Sequence, residues 1–259
     1  MKLYINVIML LLFSLANAQK NNAINGKVEY EMYANFGKPI LESWVLYFNE
    51  EKSVFIPDNS LKLLDKNGAT YDQIIQLKTT VVPHIIVDFS KDSIYNQGMV
   101  LSKPYYIKDQ LYSPKWTLIK EFKTIGEYRC QKATTTFRGR KYIAWFCVEI
   151  PVNFGPWKLN GLPGLILEIE DDLRIIHMIA KSIVINSAEN FDFSCKSIPK
   201  SGMQLSMKEY IVLKDKEGEE IRKFILSKQN RDTDIQFSDD PVKRSGFELR
   251  YEWEADEKK

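Results

Sequence analysis

The chain has 259 residues, 44% of them hydrophobic and 27% charged, with a formal net charge of +2. These values exclude wholesale disorder and a collagen-like or low-complexity chain. So small a charge gives no footing for a nucleic-acid or polyanion binder. Thirteen Tyr, 14 Phe and 5 Trp lean the composition towards β structure.

Residues 1–18 read as a secretory signal peptide. Lys2 supplies the positive start, an apolar run follows from about Val7 to Leu15, and Ala16-Asn17-Ala18 is the cleavage site. The apolar run is shorter than the roughly 20 residues a membrane span needs. No cysteine follows it for acylation, and no later apolar stretch reaches spanning length. The expected product is a soluble periplasmic or secreted protein starting at Gln19, with no integral span after cleavage.

Ile24 to Ala34 alternates with period two, Val28, Tyr30 and Met32 on one face and Lys27, Glu29 and Glu31 on the other. That pattern predicts a half-buried strand. Further strands are predicted at Trp44–Asn49, Ser53–Ile56, Ile85–Phe89, Ser93–Leu101, Tyr105–Leu111 and Trp116–Ile119. Leu61 to Lys78 is polar and irregular, with a turn at Lys66-Asn67-Gly68.

Tyr128–Phe137 and Arg140–Ile150 flank Arg138-Gly139. A two-residue loop there sets Cys130 opposite Cys147 as a non-hydrogen-bonded pair, with Cα atoms about 4.5 Å apart. That is the short end of disulfide reach. Export permits a Cys130–Cys147 bridge; two buried thiols or a register slipped by one residue are the alternatives. Arg-Gly is a weaker hairpin signal than Asn-Gly. Cys195 is then the odd thiol, expected to be buried and inert.

After Pro151 the turn pairs Gly155-Pro156 and Pro163-Gly164 punctuate the chain. Leu165–Glu170 reads as a strand, and Arg174–Ile185 pairs back on it across Asp171-Asp172. Ser206-x-x-Glu209 is a capping box opening one helix or two short ones over about 206–227. The domain expected is therefore 19–229. Residues 230–259 read as a charged, mobile tail, although Phe247, Leu249, Tyr251 and Trp253 alternate as an edge strand would.

Gly161-Leu162-Pro163-Gly164-Leu165-Ile166 spells the motif that names the GLPGLI family. The surroundings resemble that family too: Cys130-Gln131-Lys132-Ala133, Gly139-Arg140, Ala144-Trp145, Ile150-Pro151 and Gly155-Pro156, in order. The resemblance implies a secreted or envelope protein of Gram-negative bacteria, from a largely uncharacterised family. It carries no catalytic residues over. Members are often encoded beside TonB-dependent outer-membrane receptors, which implies an envelope partner.

Two histidines, His84 and His177, are too few for a His-rich metal site, and no common catalytic or nucleotide-binding motif occurs. No cofactor or metal is expected. A loop of Asp172-Leu173 would set Glu168 opposite His177, as a general-base pair or as a solvated cross-strand pair. His84 reads as strand-entry structure. Cys195 with His177 is the one thiol-nucleophile pairing left if the other cysteines are bridged. Arg138, Arg140 and Lys141, with Lys158, suit an anionic group or a solvated turn. Trp145, Phe154 and Trp157 read as an apolar cleft, with core packing as the alternative. Gly161–Ile166 is read as structural, setting sheet geometry. Asp92-Ser93-Ile94 resembles an envelope O-glycosylation acceptor.

The expectation is a mainly β protein: a curved antiparallel sheet or open barrel with a C-terminal α-helix. Its function reads as a non-enzymatic envelope module. It would bind a partner protein or an apolar or peptide ligand through Trp145, Phe154, Trp157, Arg138 and Arg140. An envelope hydrolase or thiol-dependent enzyme, and a structural subunit of an envelope complex, are the other readings.

Overall fold

The structure is a computed structural model that describes residues 24–64, 70–71, 84–101, 103–186, 191, 193, 204–228 and 244–254. The expected signal peptide and Cys195 lie outside those residues. Thirteen strands, one α-helix and two single 3-10 turns (Phe89–Lys91 and Glu252–Glu254) are present among the described residues. In order the strands and helix are β1 (Gly26–Asn35), β2 (Pro39–Phe48), β3 (Lys52–Leu64), β4 (Thr70–Tyr71), β5 (Ile85–Asp88), β6 (Ser93–Val100) and β7 (Lys103–Gln110). Then come β8 (Thr117–Ile125), β9 (Tyr128–Phe137), β10 (Arg140–Cys147), β11 (Leu165–Asp171), β12 (Ile176–Ile185), β13 (Gln204–Ser206) and α1 (Met207–Lys228). No helix among them is long and apolar enough to cross a membrane.

All the strands join one unclosed sheet in the order β13-β7-β6-β5-β3-β2-β1-β12-β11-β10-β9-β8, with β4 pairing only β3. Every pairing is antiparallel except β13 with β7. A mainly β fold with an open antiparallel sheet and a C-terminal helix is what the sequence pattern predicts. The period-two alternation sets which side is buried: Val28, Tyr30, Met32 and Ala34 of β1 turn inward, and the residues between them are half-buried. The main core follows, drawn from the inner residues of β1–β3, β5, β6 and β8–β12, with a smaller cluster under α1.

The sheet curls. Asp109 on β7 lies near one end of the strand order and the β9–β10 turn near the other, yet Arg138 of that turn reaches Asp109 at 2.7 Å. The space inside the curl is filled by the connection from β10 to β11. Phe154, Trp157, Leu159 and Leu162 of that connection are all buried in the main core.

α1 is one helix. Its capping box forms as the sequence predicts: the Glu209 backbone N–H donates to Ser206 Oγ, and the Ser206 backbone N–H donates to Glu209 at 2.8 Å. Met207 and Ile211 pack on Ile107 of β7, so the first turns of α1 cover that end of the sheet.

Gly164 ends the β10–β11 connection against the backbone of β10. A Cβ built there would lie 2.1 Å from the Cys147 carbonyl oxygen. Neither backbone can move without breaking the β10–β11 ladder. Gly164→Ala should therefore cost about 3 kcal/mol and lower Tm by roughly 6–12 °C. Thermal unfolding followed by circular dichroism measures this, and an unchanged Tm would show that the approach relaxes freely.

Candidate functional site

The β10–β11 connection is held by its own polar residues as well as by packing. Asn160 is fully buried and saturated: its Nδ2 donates to the Tyr112 and Lys158 carbonyls, and its Oδ1 accepts from Ser113 Oγ at 2.8 Å. Trp116 Nε1 donates to the Asn160 carbonyl at 2.8 Å. Phe154 meets Phe89 with ring centroids 4.9 Å apart. Trp157 takes a left-handed backbone with φ 60° and packs on Phe137, Tyr142 and Phe247. Phe154 and Trp157, read from sequence as cleft residues, are core; Trp145 alone of the three stays half-buried on the outer face. Gly161 has φ 88° at the turn of the hexapeptide, and Leu165 and Ile166 open β11 inside the core.

The Arg138-Gly139 loop forms as expected, with positive φ at both residues and the register starting at Arg140–Phe137. A positive φ on an arginine is strained, and the side chain accounts for it. Arg138 is 7% exposed and makes two parallel bonds to Asp109, Nη1 to Oδ2 at 2.7 Å and Nη2 to Oδ1 at 3.0 Å. It also pairs with Glu248, and its Nε donates to Glu252 at 3.1 Å. Burial opposes the guanidinium charge, but Asp109 and Glu248 outweigh that and hold the proton more firmly than usual. Arg140 is buried on Asp171 at 2.8 Å, and Asp171 also accepts the Ile175 and Ile176 backbone N–H groups at 2.7 Å. Lys158 is 1% exposed and donates to both Glu248 oxygens. The cluster read as a solvated turn or an external anion site is thus a buried one whose anions come from the chain itself; Lys141 alone stays exposed.

Those anions include the segment expected to be a mobile tail. Residues 244–254 lie across the β9–β10 turn as a strap that forms no strand. The Leu249 and Arg250 backbone N–H groups donate to the Arg138 carbonyl, and Tyr142 and Arg140 donate to the Phe247 and Gly246 carbonyls. Phe247 fits between Phe36 and Trp157, and Tyr251 is buried against Ile107 and α1. Arg244 ties the start of the strap to Asp215 of α1 and to Glu254. The alternation of Phe247, Leu249, Tyr251 and Trp253 serves an aromatic and basic groove rather than a sheet edge.

Glu168 and His177 do meet, with Nε2 to Oε1 at 3.1 Å, but not as a directly opposed pair. The register sets Glu170 opposite His177, because Asp171 caps a longer turn with Arg174 at φ 54°. Lys123 takes the other Glu168 oxygen at 2.6 Å and stands 4.4 Å above the Trp145 ring. Burial works against the Glu168 charge, but bonds from His177 and Lys123 win and hold its carboxyl below the ordinary range. A carboxylate so held is a poor proton donor.

Cys130 and Cys147 are both buried free thiols. The expected bridge is absent, and the alternative of two thiols is what forms. The β9–β10 ladder ends at Phe146–Gln131, one step short of the cysteines. Cys130 Sγ points to the Tyr128 carbonyl at 3.6 Å, while Cys147 sulfur takes the Glu149 and Ile150 amides. Burial, aided by Cys147, pushes the Cys130 thiol up to about 12, and burial raises Cys147 as well, so neither is a ready nucleophile. Ser93 of the glycosylation-like triplet is buried and donates to the Lys91 carbonyl. An open cleft of about 550 Å³ lies beside the β2–β3 turn, between Ile24, Glu50, Glu51, Phe89, Pro151 and Asn153. Phe154 and Trp157 do not line it.

Sequence reasoning missed Asp109, Glu248, Asp171 and Asn160. Asp109 carried a signal, an acidic residue at the same strand parity as buried Ile107.

The family model described as "Protein of unknown function (Porph_ging)" matches residues 138–168, from the Arg138 turn to the middle of β11. No curated protein matches the chain. Among solved structures it is similar to PNGF-II in two crystal forms. The C2 form has TM-score 0.53, 14% identity and 74% of this chain covered; the P21 form has 0.50, 14% and 73%. The chain spans 32% of the length of PNGF-II, and this likeness is one of fold. An uncharacterized conserved protein from Thermus thermophilus aligns over 74% of this chain and 96% of its own, at 8% identity and TM-score 0.37.

Removing one partner from a buried ion pair leaves the others uncompensated. Arg138→Ala should destabilise the protein by about 3–5 kcal/mol, measured by urea unfolding. A loss under about 1 kcal/mol would mean that the cluster is no more than a surface pair. Glu168 predicts an acid response. Its folded value is depressed, so its stabilisation is complete above the unfolded value and is lost as pH falls through the folded one. Glu168→Gln should therefore shrink the difference in unfolding midpoint between about pH 6 and about pH 3.

Proposed function

We propose that this protein is a non-enzymatic module of the GLPGLI type, exported to the periplasm or beyond, that binds an extended segment of a partner protein. One observation carries the reading. The groove of Arg138, Arg140, Trp157 and Lys158 holds Gly246–Glu254 through side chains and carbonyls rather than a strand ladder. A groove that recognises an aromatic residue followed by a glutamate suits any segment presenting those groups in that order. A partner segment would take the seat once the strap lifts. The resemblance to envelope proteins encoded beside TonB-dependent receptors supports an outer-membrane transporter or its neighbours as the partner.

The strap must loosen before the groove is free, and Glu248 is its main anchor. In the full-length Glu248→Ala protein, a labelled peptide of residues 244–254 should bind with a Kd in the micromolar range, read by fluorescence anisotropy. The same peptide should bind the unaltered protein at least tenfold more weakly. Equal affinity for both, or none for either, would remove the groove as a binding site.

A further inference from the structure

We infer that the outer edge of β8 is a second docking site, which takes an acidic extended segment of a partner protein as an added strand. β8 pairs with β9 on one side and, among the described residues, has no strand on the other. The opposite end of the sheet is β13, which runs directly into α1, and α1 packs on β7. The two ends of one sheet are therefore treated differently.

The surface at β8 combines apolar contact with positive charge. Leu118 is 51% exposed and Phe122 is 49% exposed. Arg129 of β9 lays its guanidinium 4.3 Å over the Phe122 ring. Lys115 and Lys120 are exposed, and no carboxylate of the described residues pairs with them. Glu121 pairs with Lys132 and Lys123 with Glu168, while Glu127 stands exposed at the β8–β9 turn. The positive charge directed at solvent is therefore that of Lys115, Lys120 and Arg129, on the stretch of the edge away from that turn.

A second copy of this chain is a poor occupant. The register between β8 and β9 shifts between Leu118 and Phe122, and a bulge with an edge lysine discourages pairing of identical edges. Two β8 strands would also bring the same unpaired lysines towards each other. An acidic strand is attracted by those lysines, and it can avoid the bulge by pairing C-terminal to it. Main-chain bonds would supply affinity along Phe122–Ile125, where the ladder to β9 is regular. Lys120 and Arg129 would select for carboxylates. None of these residues belongs to the strap groove, so this site stands or falls independently of it.

The test uses the full-length protein and two ten-residue peptides, one alternating glutamate with valine and threonine, the other with lysine in place of glutamate. Hydrogen exchange is followed by mass spectrometry, and affinity by calorimetry. The glutamate peptide should slow exchange across 117–125 and bind less tightly as salt rises. Lys120→Glu with Arg129→Glu should weaken it at least tenfold while lowering Tm by no more than about 4 °C, since both side chains are exposed and only the Arg129–Phe122 stacking is lost. Three results would each overturn the inference: no slowing across 117–125, slowing at the strap instead, or equal binding of the lysine peptide.

Discussion

The two-bond pair between Arg138 and Asp109 is the constraint from which the rest of this structure follows. A sheet with one buried face must curl to enclose its core, and a curled sheet that does not close leaves its two ends to be joined. Here the join is a guanidinium. It sits on the tip of the β9–β10 hairpin and reaches β7 near the other end of the strand order. The strained φ of Arg138, the depth of Lys158 and the course of the strap all answer to that one contact. Two buried cations need more than one buried anion, and Glu248 of the strap supplies the second.

The β10–β11 connection is the other half of the arrangement. A curl of this size encloses more volume than inward strand residues fill, and voids are costly. Phe154, Trp157, Leu159 and Leu162 fill it from a segment that has almost no regular structure. Irregular backbone can be buried only if its polar groups are met, and Asn160 together with Trp116, Ser113 and Tyr112 meets several of them. The hexapeptide is where this plug returns to the sheet. Its second glycine allows two backbones to touch, and its last two residues begin a buried strand. The family-model match begins at the Arg138 turn and ends in β11, so it covers the turn, β10 and the plug.

Chemistry in this molecule points inward. Arg138, Arg140, Lys158, Asp109 and Asp171 are each at least nine-tenths buried and matched with one another or with the strap. Glu168 is pinned between a lysine and a histidine. Such groups position backbone and hold the strap in place.

Much of this was legible locally. Alternation in β1, the Arg138-Gly139 loop, the β9 boundaries and the capping box of α1 follow from residues close in sequence, where backbone geometry and side-chain parity act directly. Even the basic cluster of Arg138, Arg140 and Lys141, with Lys158 further on, was visible in the sequence. What they face was not. Asp109 lies 29 residues from Arg138 and Glu248 lies 110 away, and only the curl of the sheet brings them together. The cysteines were set opposite by counting, but their sulfur directions depended on where β10 ends. Residues 244–254 looked mobile because their charge was read against water. Glu248 and Glu252 are instead balanced by Arg138 and Lys158, which the fold buries. Sequence alone determined β1, the β9–β10 hairpin loop and the start of α1, because short-range periodicity and turn chemistry are written in neighbouring residues, while β4, β13 and the full lengths of β2, β3 and β8 came from pairing across the sheet. Only the tertiary structure decided which charges meet, because pairing across a curled sheet depends on distance in space and not along the chain.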